Sequence, residues 1–317
     1  MNILKIGNGS GFWGDNGDGP IQLVQQTSDL DYLTLDYLAE VSLSIMAAQR
    51  EKDPLAGYAK DFVSVIERLI PFWRNGSKVK VIANAGGLNP TQCAKACADV
   101  LRKHGVIKKI GVVAGDDVLD HFKESAQETF KSKLVTANAY LGAQPLVEVL
   151  KQGADIVITG RVADPSLTVA PAAAHFGWNL NDYPKIASVT IAGHLIECGT
   201  QVTGGISNLW PNIPNLEMIG FPIVEIENDG TFTVTKPAGT GGVVNQWTVK
   251  EQLLYEIGDP GNYLSPDVTV SFLGLKLSQT GENRIKISGA IGKAKVRIVD
   301  SGSNLTAPTV APQLNTQ

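Results

Sequence analysis

Five short apolar runs, each followed by a stretch of helical character, constrain this chain more than any other feature. They are ILKI (3–6), YLTLDY (32–37), VKVIANAGG (79–87), KIGVVAGDD (109–117) and ADIVITGR (154–161). The runs are β-branched and apolar on both faces, so each needs cover from two sides. Strands of this kind alternating with helices predict an α/β fold, a mostly parallel sheet flanked by helices. Helices are expected at 20–28, 38–50, 59–73, 90–104, about 118–130, 143–152 and about 165–176. Turn chemistry marks their ends. Pro20 stands at the first position of one helix, Asn89-Pro90 opens another that Gly105 closes, and Pro54 and Gly57 separate a further pair.

After about residue 205 the texture changes. FPIVEIENDGTFTVTK alternates and carries Asn228-Asp229-Gly230 between two strands, a hairpin signal. DVTVSFLGLKL and NRIKISGAIG read as further strands, and WTVKEQLLYEIG (247–258) as a helix. The expected organisation is an α/β domain over 1–205 carrying the site, and a smaller α+β part over 206–292 packed on it. A tail over 293–317, rich in Ser, Asn, Thr and Pro, has little to bury and is expected to be disordered.

Composition narrows the function classes. The net charge is −4 and no run of five Lys or Arg occurs, so nothing favours DNA or RNA as a partner. Three cysteines are too few and odd in number for a disulfide framework, which points inside the cell. The N-terminus lacks the basic and apolar segments of a secretory signal, and no apolar run approaches the ~20 residues of a membrane helix. A cytoplasmic protein without membrane partners is the expectation.

In open α/β sheets ligands sit outside the carboxyl ends of the strands. Those ends carry Gly7-Asn8-Gly9, Asp36-Tyr37, Asn84-Ala85-Gly86-Gly87, Gly115-Asp116-Asp117 and Gly160-Arg161. The first of them opens GNGSGFWGDNGDGP, in which Gly9 to Gly14 matches the dinucleotide fingerprint G-x-G-x-x-G. That fingerprint needs a helix starting inside it. Here Gly17, Gly19 and Pro20 follow, and Asp15 and Asp18 would face the phosphates. We therefore expect no helix between Gly9 and Gly17. The stretch reads as an active-site loop, with Phe12-Trp13 as an apolar wall; a nucleotide loop and a plain surface turn stay as alternatives.

Candidate roles follow from residue chemistry. Amides of Gly9, Gly11, Gly86 and Gly87 are placed to hold an oxyanion, and Asn84 stands beside them to bind substrate. Asp36, with Glu40 one helical turn on, suits acid–base work or metal ligation; acids favoured at a helix start are an equally good account. Asp116 is a further acid–base candidate, with capping expected of one of Asp116 and Asp117. Arg161 is placed to grip a carboxylate or phosphate, while Asp164 before Pro165 reads as a helix cap. His194, in TIAGHLIECGTQVTGG near Glu197, Cys198 and Gln201, is the candidate acid–base or nucleophilic group; a buried structural histidine is equally consistent. Cys93 and Cys97 lack a second ligand pair and read as core, so no metal site is assigned.

Taken together, IGNGSGFWGDN, YLTLDYLAE, ANAGGLNP, TGRVADPSLTVAP, GHLIECGTQVTGG and GTGGVVNQWTVKEQLLYEIGDPGNYLSPDV resemble the acyclic terpene utilisation (AtuA) family over about residues 3–292. The resemblance implies a place in the breakdown of acyclic terpenes such as citronellol and geraniol, which proceeds through CoA thioesters. It brings no established catalytic residues. Relatives usually continue past SGAIGK with more α/β sequence, where this chain has AKVRIVDSGSNLTAPTVAPQLNTQ, so an alternative or truncated C-terminus is expected.

The combined expectation is an enzyme acting on a small carboxylate or its acyl-CoA ester. Lyase or hydratase chemistry is favoured, because acids, an arginine and a histidine come without a redox or metal motif. An NAD(P)-dependent oxidoreductase using the Gly9–Gly14 loop and a non-catalytic binding subunit are the alternatives. No cofactor is assigned, and a homo-oligomer is left open.

Overall fold

The computed structural model describes residues 3–125, 134–295 and 309–315. Five strands form the parallel heart of a mixed sheet: β1 (Leu4–Asn8), β2 (Tyr32–Leu35), β3 (Lys80–Ala83), β4 (Lys109–Ala114) and β5 (Ile156–Thr159). Their order is β1-β2-β3-β5-β4, with all four pairings parallel. Side chains alternate between two cores, as a pleated strand buried on both faces requires. On β3, Val81 and Ala83 enter one core and Ile82 the other.

The first core is covered by α1 (Gly19–Gln26), α2 (Glu40–Lys52), α3 (Lys60–Arg74) and α4 (Pro90–Lys103). On the opposite face lie α6 (Gln144–Lys151), α7 (Ser166–Phe176) and α8 (Tyr183–Glu197). Between them in sequence, α5 (Leu119–Ser125) starts near its expected position, and the rest of the expected 118–130 helix lies outside the described residues. The start of α4 shows why the sequence folds as read: Asn89 Oδ1 accepts the Gln92 amide and Pro90 fills the first turn.

The second half does not build a separate sheet from its longer strands. β6 (Ile223–Ile226), β7 (Phe232–Thr235), β10 (Lys276–Gly281) and β11 (Arg284–Ser288) continue the main sheet antiparallel beyond β1, in the order β10-β11-β7-β6. The β6–β7 hairpin turns where Asn228-Asp229-Gly230 places it, with Gly230 at φ 89°. β8 (Tyr263–Leu264), β9 (Thr269–Ser271) and β12 (Ile291–Lys293) form a small antiparallel sheet, and α9 (Gln246–Leu254) precedes it. In the tail, the backbone of Thr309–Asn315 forms β13, antiparallel on β4, whose outer edge would otherwise offer unpaired amides. No helix among the described residues is long and apolar enough to cross a membrane.

β8, β13 and the helix α8 have no counterpart in the sequence reading, which expected the tail carrying β13 to be disordered. α8 is buried at every position from Ile186 to Ile196 and carries apolar residues on every face, so it has no amphipathic period to detect. Gly193 within it is a packing device: a Cβ there would stand 2.7 Å from Pro165 Cα, at the start of α7.

Candidate active site at the carboxyl edge of the sheet

Because the five central strands are parallel, the residues that follow them share one edge. Hydrogen bonds tie neighbours along it. Asn84, after β3, donates from Nδ2 to Asp36 Oδ1 at 2.6 Å and accepts the Tyr37 amide through Oδ1 at 2.6 Å. Asp116, after β4, accepts the Arg161 amide at 2.7 Å and Asn138 Nδ2 at 2.9 Å, both through Oδ2. Arg161, after β5, turns its Nη1 to the Leu38 carbonyl at 2.7 Å and to Asp164 Oδ1 at 2.6 Å. Its guanidinium lies 4.0 Å from the centre of the Tyr140 ring, and the Tyr140 hydroxyl donates to Glu40 Oε1 at 2.9 Å.

The facing wall comes from the end of α8. Asn8, the last residue of β1, donates from Nδ2 to the carbonyls of Ser10, Ile196 and Glu197 at 3.0, 2.7 and 2.9 Å. Gly11 closes on the next residue: a Cβ on it would stand 2.7 Å from the Cys198 carbonyl carbon. Between the two walls lies a cleft of about 450 Å³. Among the described residues five acids, Asp36, Glu40, Asp164, Glu197 and Glu256, line it with a single cation, Arg161.

A family model described as acyclic terpene utilisation family protein AtuA matches residues 4–299. The chain belongs to this family. The match contains the whole cleft. No curated protein and no solved structure matches the chain.

Burial sets the electrostatics of this AtuA-family cleft. The Asp36 carboxyl is pushed up to about 7 by burial, against the pull of Arg161 and the Asn84 hydrogen bond and with a further push from Glu197. Asp164 is also raised well above the usual carboxylate range, by burial and by Asp36, although Arg161 bonds it. Glu40 is lowered by hydrogen bonds at its own backbone amide and from Tyr140. Burial pushes the Cys198 thiol up to about 12, with Glu197 adding to it, so it stays a thiol rather than a thiolate nucleophile at neutral pH. Among the described residues no group of three or more His, Cys, Asp or Glu side chains is arranged to hold a metal ion.

The structure redistributes several expected roles. The four glycine amides meant for an oxyanion all donate within the protein. Gly9 donates to the Thr34 carbonyl at 3.0 Å, Gly86 to Thr159 at 3.0 Å, and Gly87 to Asn84 at 3.2 Å. Gly11 donates to Asp15 Oδ2 at 2.6 Å. The glycines serve close packing instead: a Cβ on Gly86 would lie 2.6 Å from Pro90, and one on Gly9 2.8 Å from Pro20 Cα. Of the opening loop only Gly11 lines the cleft. Phe12 is exposed and Trp13 Nε1 donates to Asp61 at 2.7 Å, so neither forms the expected wall. No helix begins before Gly19, which removes the phosphate-facing helix start a dinucleotide loop requires.

Four further candidates, Asp116, Asp164, His194 and Asn84, take other places. Asp116 is buried and does not line the cleft; its carboxylate joins the ends of β4 and β5. Asp164 bonds Arg161 rather than capping α7, whose N-cap is Pro165 without a side-chain bond; Asp117 accepts the Leu119 amide at 3.1 Å in the turn that leads into α5. His194 lies inside α8, 2% exposed and behind the cleft wall. Asn84 is fully buried and reaches the cleft only through Asp36. Sequence reasoning passed over Tyr140 and Glu256, and named Glu197 only as a neighbour of His194. Glu197 carried a signal, its place three residues beyond His194, which only a helix across both would have turned into contact.

Proposed function

We propose that the cleft is the active site of an acid–base enzyme of acyclic terpene breakdown, acting on an acyl-CoA thioester by adding or removing water. The observation that carries this reading is Asp36, a buried carboxyl pushed up to about 7 beside Arg161 in the cleft, and so able to hold and release a proton near neutral pH. A thioester suits the lining better than a free acid. Its acyl end is uncharged, whereas a carboxylate would meet five acids and one cation.

A water oxygen bonds to the β carbon of an unsaturated thioester, and the water's proton leaves to a base in the cleft. The electron pair of the double bond moves toward the thioester oxygen, where Arg161 supplies positive charge. The proton on Asp36 then goes to the α carbon. Exchange with solvent reprotonates Asp36 and empties the base.

Thermal shift with unsaturated branched acyl-CoAs, their free acids and NAD(P), followed by mass analysis for gain or loss of one water, tests the reading. Stabilisation and conversion of a thioester are expected. Stabilisation by NAD(P) alone would restore the oxidoreductase alternative. Binding of a thioester without conversion would make the chain a binding subunit.

A further inference from the structure

Hydration needs a base opposite Asp36, and this inference rests on that reading of the cleft. We propose that Glu197 is the proton acceptor of the cleft, through Oε2, and that His194 behind it is the positioning residue that keeps it so. His194 Nε2 lies 2.8 Å from the Gln252 carbonyl. A carbonyl oxygen only accepts, so Nε2 carries a hydrogen. Nδ1 lies 2.9 Å from Glu197 Oε1. Two arrangements satisfy that contact: an imidazolium donating to a carboxylate, or a neutral ring accepting from a protonated carboxyl. In both, one proton lies on the Nδ1–Oε1 line, and Oε2 carries none.

The second observation concerns Oε2. It is buried without a hydrogen-bond partner, on a residue that lines the cleft. A buried carboxylate oxygen without a partner, on a residue of the cleft wall, is free to accept from a donor that arrives with the substrate, and the water to be activated is such a donor. The histidine is locked from both sides, since Gln252 Nε2 also donates to the His194 carbonyl at 2.9 Å. Tyr263 and Phe272 stand beside the imidazole, with ring centres at 6.2 and 6.0 Å. The backbone at Glu197 is fixed in turn by Asn8.

The surroundings favour the imidazolium. Burial works against the charged ring, but Glu197, through its charge and hydrogen bond, the Gln252 carbonyl and Glu256 outweigh it, and His194 is raised above its ordinary value. The titratable groups facing the pair are Asp36 after β2, Asp164 before α7, Cys198, Glu256 after α9 and Tyr263 of β8. None of these is a cation, and Arg161 of the same cleft pairs with Asp164. The cleft thus sets a proton-bearing Asp36 against Glu197, whose Oε1 is engaged by His194 and whose Oε2 has no partner.

The test uses the full chain labelled with 15N in histidine and 13C in the glutamate carboxyl, read by NMR from about pH 5.5 to 8.5. The chain has four histidines. His194 is assigned by elimination from single His→Gln variants at 104, 121 and 175. At pH 7 both ring nitrogens of His194 are expected to be protonated and the Glu197 carboxyl ionised. In Glu197→Gln the ring should lose its Nδ1 proton within this range. A neutral His194 with an unprotonated Nδ1 and a protonated Glu197 in the wild-type chain would overturn the proposal, and that reading needs no variant to fold. With any thioester the wild type converts, Glu197→Gln should lower kcat roughly 10²–10⁴-fold with KM little changed. An unchanged kcat would also overturn it. If no thioester is converted, the hydratase reading fails, while the spectra still decide the state of the pair.

Discussion

Asn84 holds Asp36 by a 2.6 Å hydrogen bond from Nδ2, and uses its other end, Oδ1, to hold the amide of Tyr37 at the same distance. One fully buried amide thus fixes both the backbone that leaves β2 and the carboxyl that enters the cleft. Asn84→Ala removes the partners of two buried groups at once. A loss of roughly 1–3 kcal/mol is expected, the range for leaving a buried polar group unpaired. Urea unfolding measures it. The same variant should raise Asp36 further, because the Asn84 bond favours its ionised form.

Asp36 makes stability depend on pH in a stated direction. Its carboxyl is raised from 3.8 to about 7 in the folded chain, so the folded state holds the proton more tightly than the unfolded chain does. The contribution is fully present below about pH 4 and is lost as pH rises to about 7. Replacing Asp36 by Asn removes this term. The variant should gain stability relative to the wild type between about pH 5 and pH 8, while losing turnover. Unfolding curves at the two pH values check it; parallel pH dependence in both proteins would show that Asp36 does not titrate in that window.

Arg161 is the cation that the buried acids share. Its ion pair with Asp164 is 2.6 Å long, and the Arg161 side chain is 5% exposed. Arg161→Met should cost about 3–5 kcal/mol, since it leaves buried carboxyls without their partner. Arg161→Lys keeps a charge but loses the planar contact with Tyr140, and should fall between the two in stability. Thermal melts at neutral pH rank the three. A melt of Arg161→Met equal to that of the wild type would show the pair to be energetically idle.

The central sheet was legible because its strands are continuous apolar runs and its helices carry ordinary stops and starts. Asn89-Pro90 before α4 and Asn228-Asp229-Gly230 between β6 and β7 did locally what their chemistry demands. α8 was illegible for the opposite reason. A helix buried on every face has no period, and Gly193, which reads as a breaker, is there to admit Pro165. The site inherited that gap. Asp36 and Arg161 follow strands and could be placed on the cleft edge from sequence. Glu197 depends on a helix that sequence did not reveal, and Tyr140 on a tertiary contact with Arg161. The glycines were visible as close-approach positions, and what packs against them is backbone, proline and, at Gly87, the Met46 side chain.

Gly11 tests that last point. A methyl group there would sit 2.7 Å from the Cys198 carbonyl carbon and 2.9 Å from the Gly199 nitrogen, both backbone atoms. Gly11→Ala must therefore push the loop off the end of α8, where Glu197 and Cys198 line the cleft. A destabilisation of roughly 1–3 kcal/mol is expected, as for other overpacked contacts, together with weaker thioester binding. Calorimetric melting and ligand titration on the same sample separate the two effects.

The most direct test of the cleft as an acid–base site is conversion of unsaturated, branched acyl-CoA thioesters in D2O, followed by mass spectrometry, for the wild type and Asp36→Asn side by side. The wild type is expected to add or remove water on at least one thioester, placing deuterium on the carbon next to the carbonyl in the hydration direction. Asp36→Asn, folded by its melt, should be slower by roughly 10²–10⁴-fold. Equal rates and equal deuterium placement in the two proteins would contradict the assignment of the cleft and of Asp36 as its acid.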